Sequence, residues 1–204
     1  MKALRPAVIC AALAVPALAH AQAAGDRPAD NYQEIERGLY FSVFGGPSFI
    51  VNPPATSGPR PFTAGQMAAV EVGVDLGERL SLGLFVQGSS NRVGSEYTGN
   101  SGGSASGDFS TLVPGVVARA HLVGFADAQD VKRTWFYVRG GAGYALFSPK
   151  QLLPDPDILV FLGPGVEYYT RLRHFSIGVE VTGSFLVKSQ SFGFALTPNL
   201  RYAF

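Results

Sequence analysis

Cysteine and histidine are scarce in this 204-residue chain and long apolar runs are missing, and each shortage removes a class of protein. The one cysteine, Cys10, sits in an N-terminal segment (1–23) with Lys2 and Arg5, an apolar stretch through Ala19, and small residues in Ala-x-Ala spacing at Ala19, Ala21 and Ala23. That is the pattern of an export signal that is removed. Ile9 is too bulky to precede a lipidated cysteine. The remainder has no thiol for a disulfide, a thiolate nucleophile or a zinc–thiolate site. Its two histidines, His121 and His174, are too few and too far apart for a metal cluster, and no cofactor is expected. Charged residues make up only 15% of the chain, without a block of one sign. The 16 Lys and Arg against 15 Asp and Glu lose two cations with the signal, which leaves acids ahead by one. No basic stripe remains to hold nucleic acid. After the signal the longest apolar stretch is ILVFLGPGV (158–166), about half of what a membrane-spanning helix needs.

Against these shortages stand 47% hydrophobic residues, 12% aromatics and 25 glycines. An exported chain this apolar, with no spanning helix, has one good membrane solution: a closed barrel whose backbone groups all pair between strands. The C-terminal stretch SFGFALTPNLRYAF (191–204) shows the pattern most clearly. Phe192, Phe194, Leu196, Pro198, Leu200, Tyr202 and Phe204 alternate with Ser191, Gly193, Ala195, Thr197, Asn199, Arg201 and Ala203, a strand period held without a slip. The stretch also resembles the C-terminal sorting signal of outer-membrane barrels, with Leu200, Tyr202 and Phe204 at the alternate positions that signal uses. The resemblance implies the barrel-assembly machinery as a partner.

The same period recurs in seven earlier segments, 38–50, 65–77, 80–90, 109–123, 134–147, 158–170 and 174–188. The segments 51–64 and 148–157 are broken by proline, and 91–108 is dense in Gly and Ser, so all three read as loops. Gly77-Glu78-Arg79 and Arg171-Leu172-Arg173 read as tight turns, and the polar 124–133 as a connection long for its side. An even strand number with long connections alternating with short ones is the asymmetry of outer-membrane barrels. The expected fold is all-β, an eight-stranded antiparallel up-and-down transmembrane β-barrel over 38–204, after the signal (1–23) and a periplasmic lead (24–37).

Charge placement tells the two faces apart. Glu71, Asp75, Arg119, Arg139, Glu167, Glu180, Lys188 and Arg201 all fall on the small, mixed face of their strands. Facing lipid, each Arg or Lys near the midplane would cost roughly 2–4 kcal/mol; facing a narrow lumen, they can pair. Glu71, Asp75, Glu167 and Glu180 with Arg119, Arg139 and Arg201 are therefore expected to form a hydrogen-bonded ionic plug in the periplasmic half of the lumen. An eight-stranded barrel is in any case filled by side chains, which argues against a general pore. In the upper lumen Ala69, Thr111, Gly143, Ala145, Phe161, Ser184 and Gly193 leave either a dead-end pocket or close packing around Phe85 and Phe161. Pro47, Pro114, Pro164 and Pro198 fall at outward positions inside strands, where local bulges are expected.

The sharpest catalytic candidate is His174-Phe175-Ser176 with Glu180, which is similar to the His-x-Ser plus Glu arrangement of the outer-membrane lipid A deacylases. Ile177-Gly178 stand where those enzymes have Asn-Ala, and His174 starts its strand at the periplasmic end, away from the outer leaflet. His121, also at a strand end, reads as interfacial. Asp108, Asp127 and Asp130 read as loop residues without protease-like pairing. The whole of 38–204 resembles the small eight-stranded OmpA-like and OmpW-like barrels in pattern. DRPAD (26–30), EIERGLY (34–40), NPPA (52–55), RLRHFSIGVEVTG (171–183) and TPNLRYAF (197–204) resemble a small barrel of the myxobacterial adventurous gliding machinery. The resemblance implies a non-enzymatic structural or interaction role in an envelope protein complex, with outer-membrane lipid around the wall. Two alternatives are a lipid A-modifying enzyme and a narrow channel for small apolar solutes.

Overall fold

The computed structural model describes residues 35–51, 62–93, 108–148 and 156–204. The expected signal (1–23), most of the lead and most of the three long connections lie outside these residues. Eight strands follow one another: β1 (Leu39–Val51), β2 (Phe62–Leu76), β3 (Leu80–Val93), β4 (Asp108–Ala126), β5 (Lys132–Ser148), β6 (Asp157–Tyr169), β7 (Phe175–Leu186) and β8 (Ser191–Ala203). Each pairs antiparallel with its sequence neighbour, and β8 returns to β1 to close the barrel. The start of β1 and the end of β8 lie at one end with the β2–β3, β4–β5 and β6–β7 turns, and the strand ends that the long connections join lie at the other with the β7–β8 turn.

Alternation sorts side chains between inside and outside as the period requires. Leu84 and Leu162 are 66% and 65% exposed on the outer wall, whereas Arg119, Glu167 and Arg201 are within 1% of complete burial. Phe192 and Phe194 also point outward. A wall of bare Leu, Val and Phe around a charged interior is inside-out for water and right for hydrocarbon. On β5 the outward apolar residues run from Phe136 to Leu146, which spans about 25 Å of membrane normal after allowing for strand tilt. At the loop end a cross-strand row of outward polar residues, Gln66, Ser90, Ser110 and Ser148, bounds this belt across β2 to β5.

Three expectations are corrected. The connection expected at 124–133 is a tight turn, because β4 runs on to Ala126 and β5 begins at Lys132. Register shifts between His121 and Val123 and between Phe125 and Ala126 carry the pairing past the point where the alternation lapses. Lys188, expected on the lumen face, instead lies in the exposed turn between β7 and β8, its Nζ donating to the Pro156 carbonyl at 2.5 Å. Asp157 holds that turn: its carboxylate accepts the amides of Ile158, Lys188 and Ser189 at 2.6, 2.7 and 2.9 Å, and the Ser189 hydroxyl.

The prolines are accommodated without bulges. The β1–β8 ladder stops at Phe44↔Asn199 and resumes at Ser48↔Ala195, and Pro47 and Pro198 fall within that interval. Pro114 falls in an equivalent interval of β4–β5 and Pro164 in one of β6–β7. On its other edge each is paired: Pro47 to Gln66, Pro114 to Val86, Pro164 to Val138 and Pro198 to Val179. The register is the same on both sides of each interval, so no residue has been inserted. A missing donor interrupts pairing on one edge only, which a stiff closed wall tolerates without the extra residue of a bulge.

Asp127 organises the turn between β4 and β5. Its carboxylate accepts the Gln129 and Val131 amides at 2.9 and 3.1 Å and the Arg133 Nε–H at 2.7 Å, and Asp130 takes a left-handed φ of 61°. Desolvation pushes the carboxyl up, but the hydrogen bond from Arg133 and those from Val131 and Gln129 outweigh it and hold it below the usual carboxylate range. The lowered value means that this contribution is complete above the ordinary aspartate value of about 3.9 and is lost as pH falls through the depressed one. The Gln129 and Val131 amides should therefore exchange faster, relative to intrinsic rates, on acidification, and Asp127→Asn should remove that dependence.

Candidate functional site

The inward face of the end that carries the tight turns is almost entirely polar, and the strands deliver its charges at staggered heights. β2 brings Glu71 and Asp75, β4 Arg119 and His121, β5 Arg139, β6 Glu167, β7 Ser176 and Glu180, and β8 Arg201. Arg119 and Arg139 are direct cross-strand partners, a like-charge pairing that would be unfavourable if both side chains reached the same way. Their acids separate them.

Arg139 points toward the loop end. Its Nε donates to Glu71 Oε2 at 2.9 Å, Nη2 lies 2.8 Å from the same oxygen, and Nη1 donates to Glu180 Oε1 at 3.0 Å. Its guanidinium also lies over the rings of Phe44 and Phe161, 4.3 and 4.9 Å from their centroids. Tyr40 donates to Glu71 at 2.7 Å, and Tyr137 and Thr182 donate to Glu180 at 3.2 and 2.7 Å. Tyr137 has room because Gly165 lies beneath it; a Cβ there would overlap the ring.

Arg119 instead reaches Glu167 Oε2 at 3.1 Å, with its guanidinium 4.5 Å from the centre of the Tyr137 ring. Glu167 also takes His121 Nε2 at 2.9 Å and the Ser176 hydroxyl at 2.5 Å. Lower still, Arg201 pairs with Asp75, which also takes the Ser81 hydroxyl at 2.6 Å, and stacks 3.7 Å from the centre of Tyr40. Arg37 closes the mouth from below, 5.2 Å from the Tyr169 ring centre and 5.9 Å from that of Trp135, with Nη1 donating to the Glu78 carbonyl at 3.2 Å.

The seven charges singled out from the sequence thus lie in three groups, Glu71–Arg139–Glu180, Arg119–Glu167 and Arg201–Asp75. Protein acceptors do not satisfy every donor among them. Arg119 Nε and Nη2 and Arg201 Nε and Nη1 are buried with no acceptor among the described residues, as is the Tyr169 hydroxyl. Such groups in a polar interior are where bound water belongs. His121, read from the sequence as interfacial, is instead buried and paired with Glu167. The reason is the extra length of β4, which moves the rim past it. Tyr40, Tyr137 and Ser176 were missed as members of the network. Their signal was present, since each shares the inward parity of a polar or charged residue of its strand: Tyr40 with Ser42, Tyr137 with Arg139, Ser176 with Glu180.

Above Arg139 the lumen turns apolar. Phe85, Val113, Val117, Ala145, Phe147, Leu159, Phe161 and Leu186 form one buried cluster, with Phe85 and Phe161 edge to face at 5.3 Å. Beside it a cavity of about 40 Å³ is bordered by Ala69, Thr111, Phe161, Ser184 and Gly193. That holds a water or two rather than an organic solute. Ser48 Oγ and Thr111 Oγ1, both bordering it, have no partner among the described residues and suit such water. Of the residues placed at the upper lumen, Gly143 and Ala145 do not line the cavity; Ala145 is part of the cluster, and the Val113 side chain fills the space beside Gly143.

The deacylase-like residues do not converge. His174 directs Nδ1 to the Ala203 carbonyl at 2.8 Å and stacks on Tyr202, while Ser176 faces the lumen with its hydroxyl given to Glu167. The His174–Ser176 pair of that arrangement is therefore not formed. Among the sorting residues, Leu200 and Phe204 are exposed on the outer wall, and Tyr202 packs between Phe175 and Phe204 at ring distances of 5.0 and 4.9 Å.

This is a transmembrane β-barrel of the bacterial outer-membrane type. It is similar in structure to Neisserial surface protein A, with a TM-score of 0.59 and 12% identity, covering 84% of this chain and 100% of the other. It is similar also to the outer membrane protein OprG from Pseudomonas aeruginosa (TM-score 0.54, 10% identity, 84% and 99% covered). A third likeness is to the outer membrane protein AlkL in lipid bilayers (TM-score 0.54, 13% identity, 88% and 96% covered). No family model and no curated protein matches the sequence.

Proposed function

We propose that the chain is a non-enzymatic outer-membrane barrel that serves as a structural and interaction component of the cell envelope, meeting its partners at its ends rather than through its lumen. The observation that carries this reading is the seal. Arg139 is clamped between Glu71, Glu180 and the rings of Phe44 and Phe161, directly below a packed aromatic cluster. A solute crossing the lumen would have to displace a buried charge from two partners, a step that costs several kcal/mol before any new contact forms. Outer-membrane lipid around the wall and the barrel-assembly machinery during insertion are the partners this reading requires, the latter through Leu200, Tyr202 and Phe204. The likeness of 171–183 and 197–204 to a gliding-machinery barrel supports a trans-envelope motility complex as the first assembly to test.

The purified barrel in planar bilayers should give no stable conductance steps, and Ser176→Ala should leave lipid A unchanged by mass spectrometry. Reproducible open steps would overturn the sealed lumen. An altered lipid A profile in the Ser176 variant would overturn the non-enzymatic reading.

A further inference from the structure

The outer wall is not evenly filled. Ala68, Gly88, Leu112 and Leu146 are cross-strand neighbours at one height on the outward face of β2 to β5. A Cβ at Gly88 would have nothing within 4 Å, while Val86 below it and Leu112 beside it stand exposed. The result is an open groove of about 610 Å³, floored by Ala68 and Gly88 and flanked by Leu112 and Leu146. Its upper rim is Gln66, Ser90, Ser110 and Ser148, the polar row that bounds the apolar belt. That row lies two residues further along the strands, about 7 Å away.

The position of the groove decides what fills it. Its floor lies in the apolar belt, below the polar row. The chain's own connections leave the strands above that row, and one that descended would carry backbone groups unpaired into hydrocarbon. The occupant is therefore lipid, and the strand ends that the long connections join mark the outer leaflet. In hydrocarbon an apolar surface alone retains nothing, because a departing chain is replaced by another; retention comes from close packing on small residues and from hydrogen bonds. The groove offers both. Its rim presents three hydroxyls and one carboxamide, groups that each donate and accept. The amide-linked hydroxyacyl groups of an acylated amino sugar also do both, whereas a glycerophospholipid has at that depth ester carbonyls, which only accept.

We propose that the groove over Gly88 is a binding site for lipid A, in which one hydroxyacyl chain packs over Ala68 and Gly88 while its amide and hydroxyl pair with Ser90, Ser110 and Ser148. This rests on the reading of the barrel as an envelope component with lipid around its wall, and names the lipid class held at one place on that wall. No bond is made or broken, so the site is separate from the lipid A modification that Ser176→Ala tests.

The test uses the full barrel in mild detergent, with purified lipid A as probe and native mass spectrometry as readout. Each barrel should keep one lipid A, held about tenfold more tightly than phosphatidylethanolamine of the same chain length. Gly88→Leu fills the groove from the lipid side, where there is room for the new side chain, and should weaken retention about tenfold. Ser110→Ala combined with Ser148→Ala leaves the packing of the wall untouched and should also weaken it. Gly183→Leu is the control: it is outward on β7, its Cβ would meet only the Leu162 carbonyl oxygen at 3.7 Å, and retention should not change. Circular dichroism checks that each variant is still a barrel. No bound lipid A, equal retention of the two lipids, undiminished retention in either the Gly88 or the serine variant, or an equal loss in Gly183→Leu overturns the proposal. Each of these outcomes is independent of the bilayer recordings, which test the sealed lumen separately.

Discussion

Arg139→Met should destabilise the folded barrel by about 3–5 kcal/mol, the cost of leaving buried carboxylates without their cation. Methionine approximates the volume of the arginine stem and removes the three donor contacts to Glu71 and Glu180. Both acids are almost fully buried, and the tyrosine donors left to them supply hydrogen bonds but no charge. Urea unfolding in phospholipid vesicles measures the loss. Adding Glu71→Gln and Glu180→Gln to the same variant should recover most of it, because neutral amides need only hydrogen bonds, which Tyr40, Tyr137 and Thr182 can partly provide. If Arg139→Met alone changes stability by less than 1 kcal/mol, the lumen is wetter and its charges better screened than the burial of these groups implies.

Gly46→Ala should be nearly as damaging through a different cause. A Cβ at Gly46 would overlap the Leu196 carbonyl oxygen and lie 3.2 Å from its carbon and 3.4 Å from Thr197 Cα. All three are backbone atoms of β8, so no change of rotamer relieves the clash. The position falls where the β1–β8 ladder is already interrupted beside Pro47 and Pro198, leaving few hydrogen bonds to resist separation. A loss of about 3 kcal/mol, the upper range for forced overpacking, is expected, together with a smaller closed fraction after refolding. Gly88→Ala supplies the control: no heavy atom lies within 4 Å of that Cβ, and its effect should stay within about 0.5 kcal/mol. Equal effects at the two glycines would mean that the seam is not closely packed.

These two results bear on function because they concern the lumen and the closure that keeps it shut. The fold admits many roles, and neighbours at 10–13% identity share the architecture without passing on a partner or a substrate. The features that bear on its role are local: a charge cluster held against aromatic rings and a small cavity above it.

Much of this was legible in the residues themselves. The alternation in 191–204, with Phe192, Phe194 and Leu196 on one face and Thr197, Asn199 and Arg201 on the face that alternates with it, sets strand type and the facing of its side chains. Ions confined to one parity on six strands separated lumen from lipid, because a charge in hydrocarbon costs more than a sequence can sustain repeatedly. The errors came where a periodic signal breaks down. Polar residues at 127–133 looked like a long connection because strand pairing through a bulge leaves no regular period, and Lys188 continued the parity of β7 two residues past the strand's end.

The sequence by itself determined that the chain is a barrel, how many strands it has, and, Lys188 apart, which of its strand charges face inward, since each depends only on parity and on the cost of placing a side chain in the wrong solvent. Only the tertiary structure decided who pairs with whom. Glu71 and Arg139 are 68 residues apart in the chain, and the stagger between strands around the closed wall sets the height at which each inward residue meets the others. The same stagger brought His121 within reach of Glu167 and gave Arg119 and Arg139 separate acids. Parity repeats every two residues and can be read locally, whereas height around a closed sheet accumulates over all eight strands and exists only once the last has met the first.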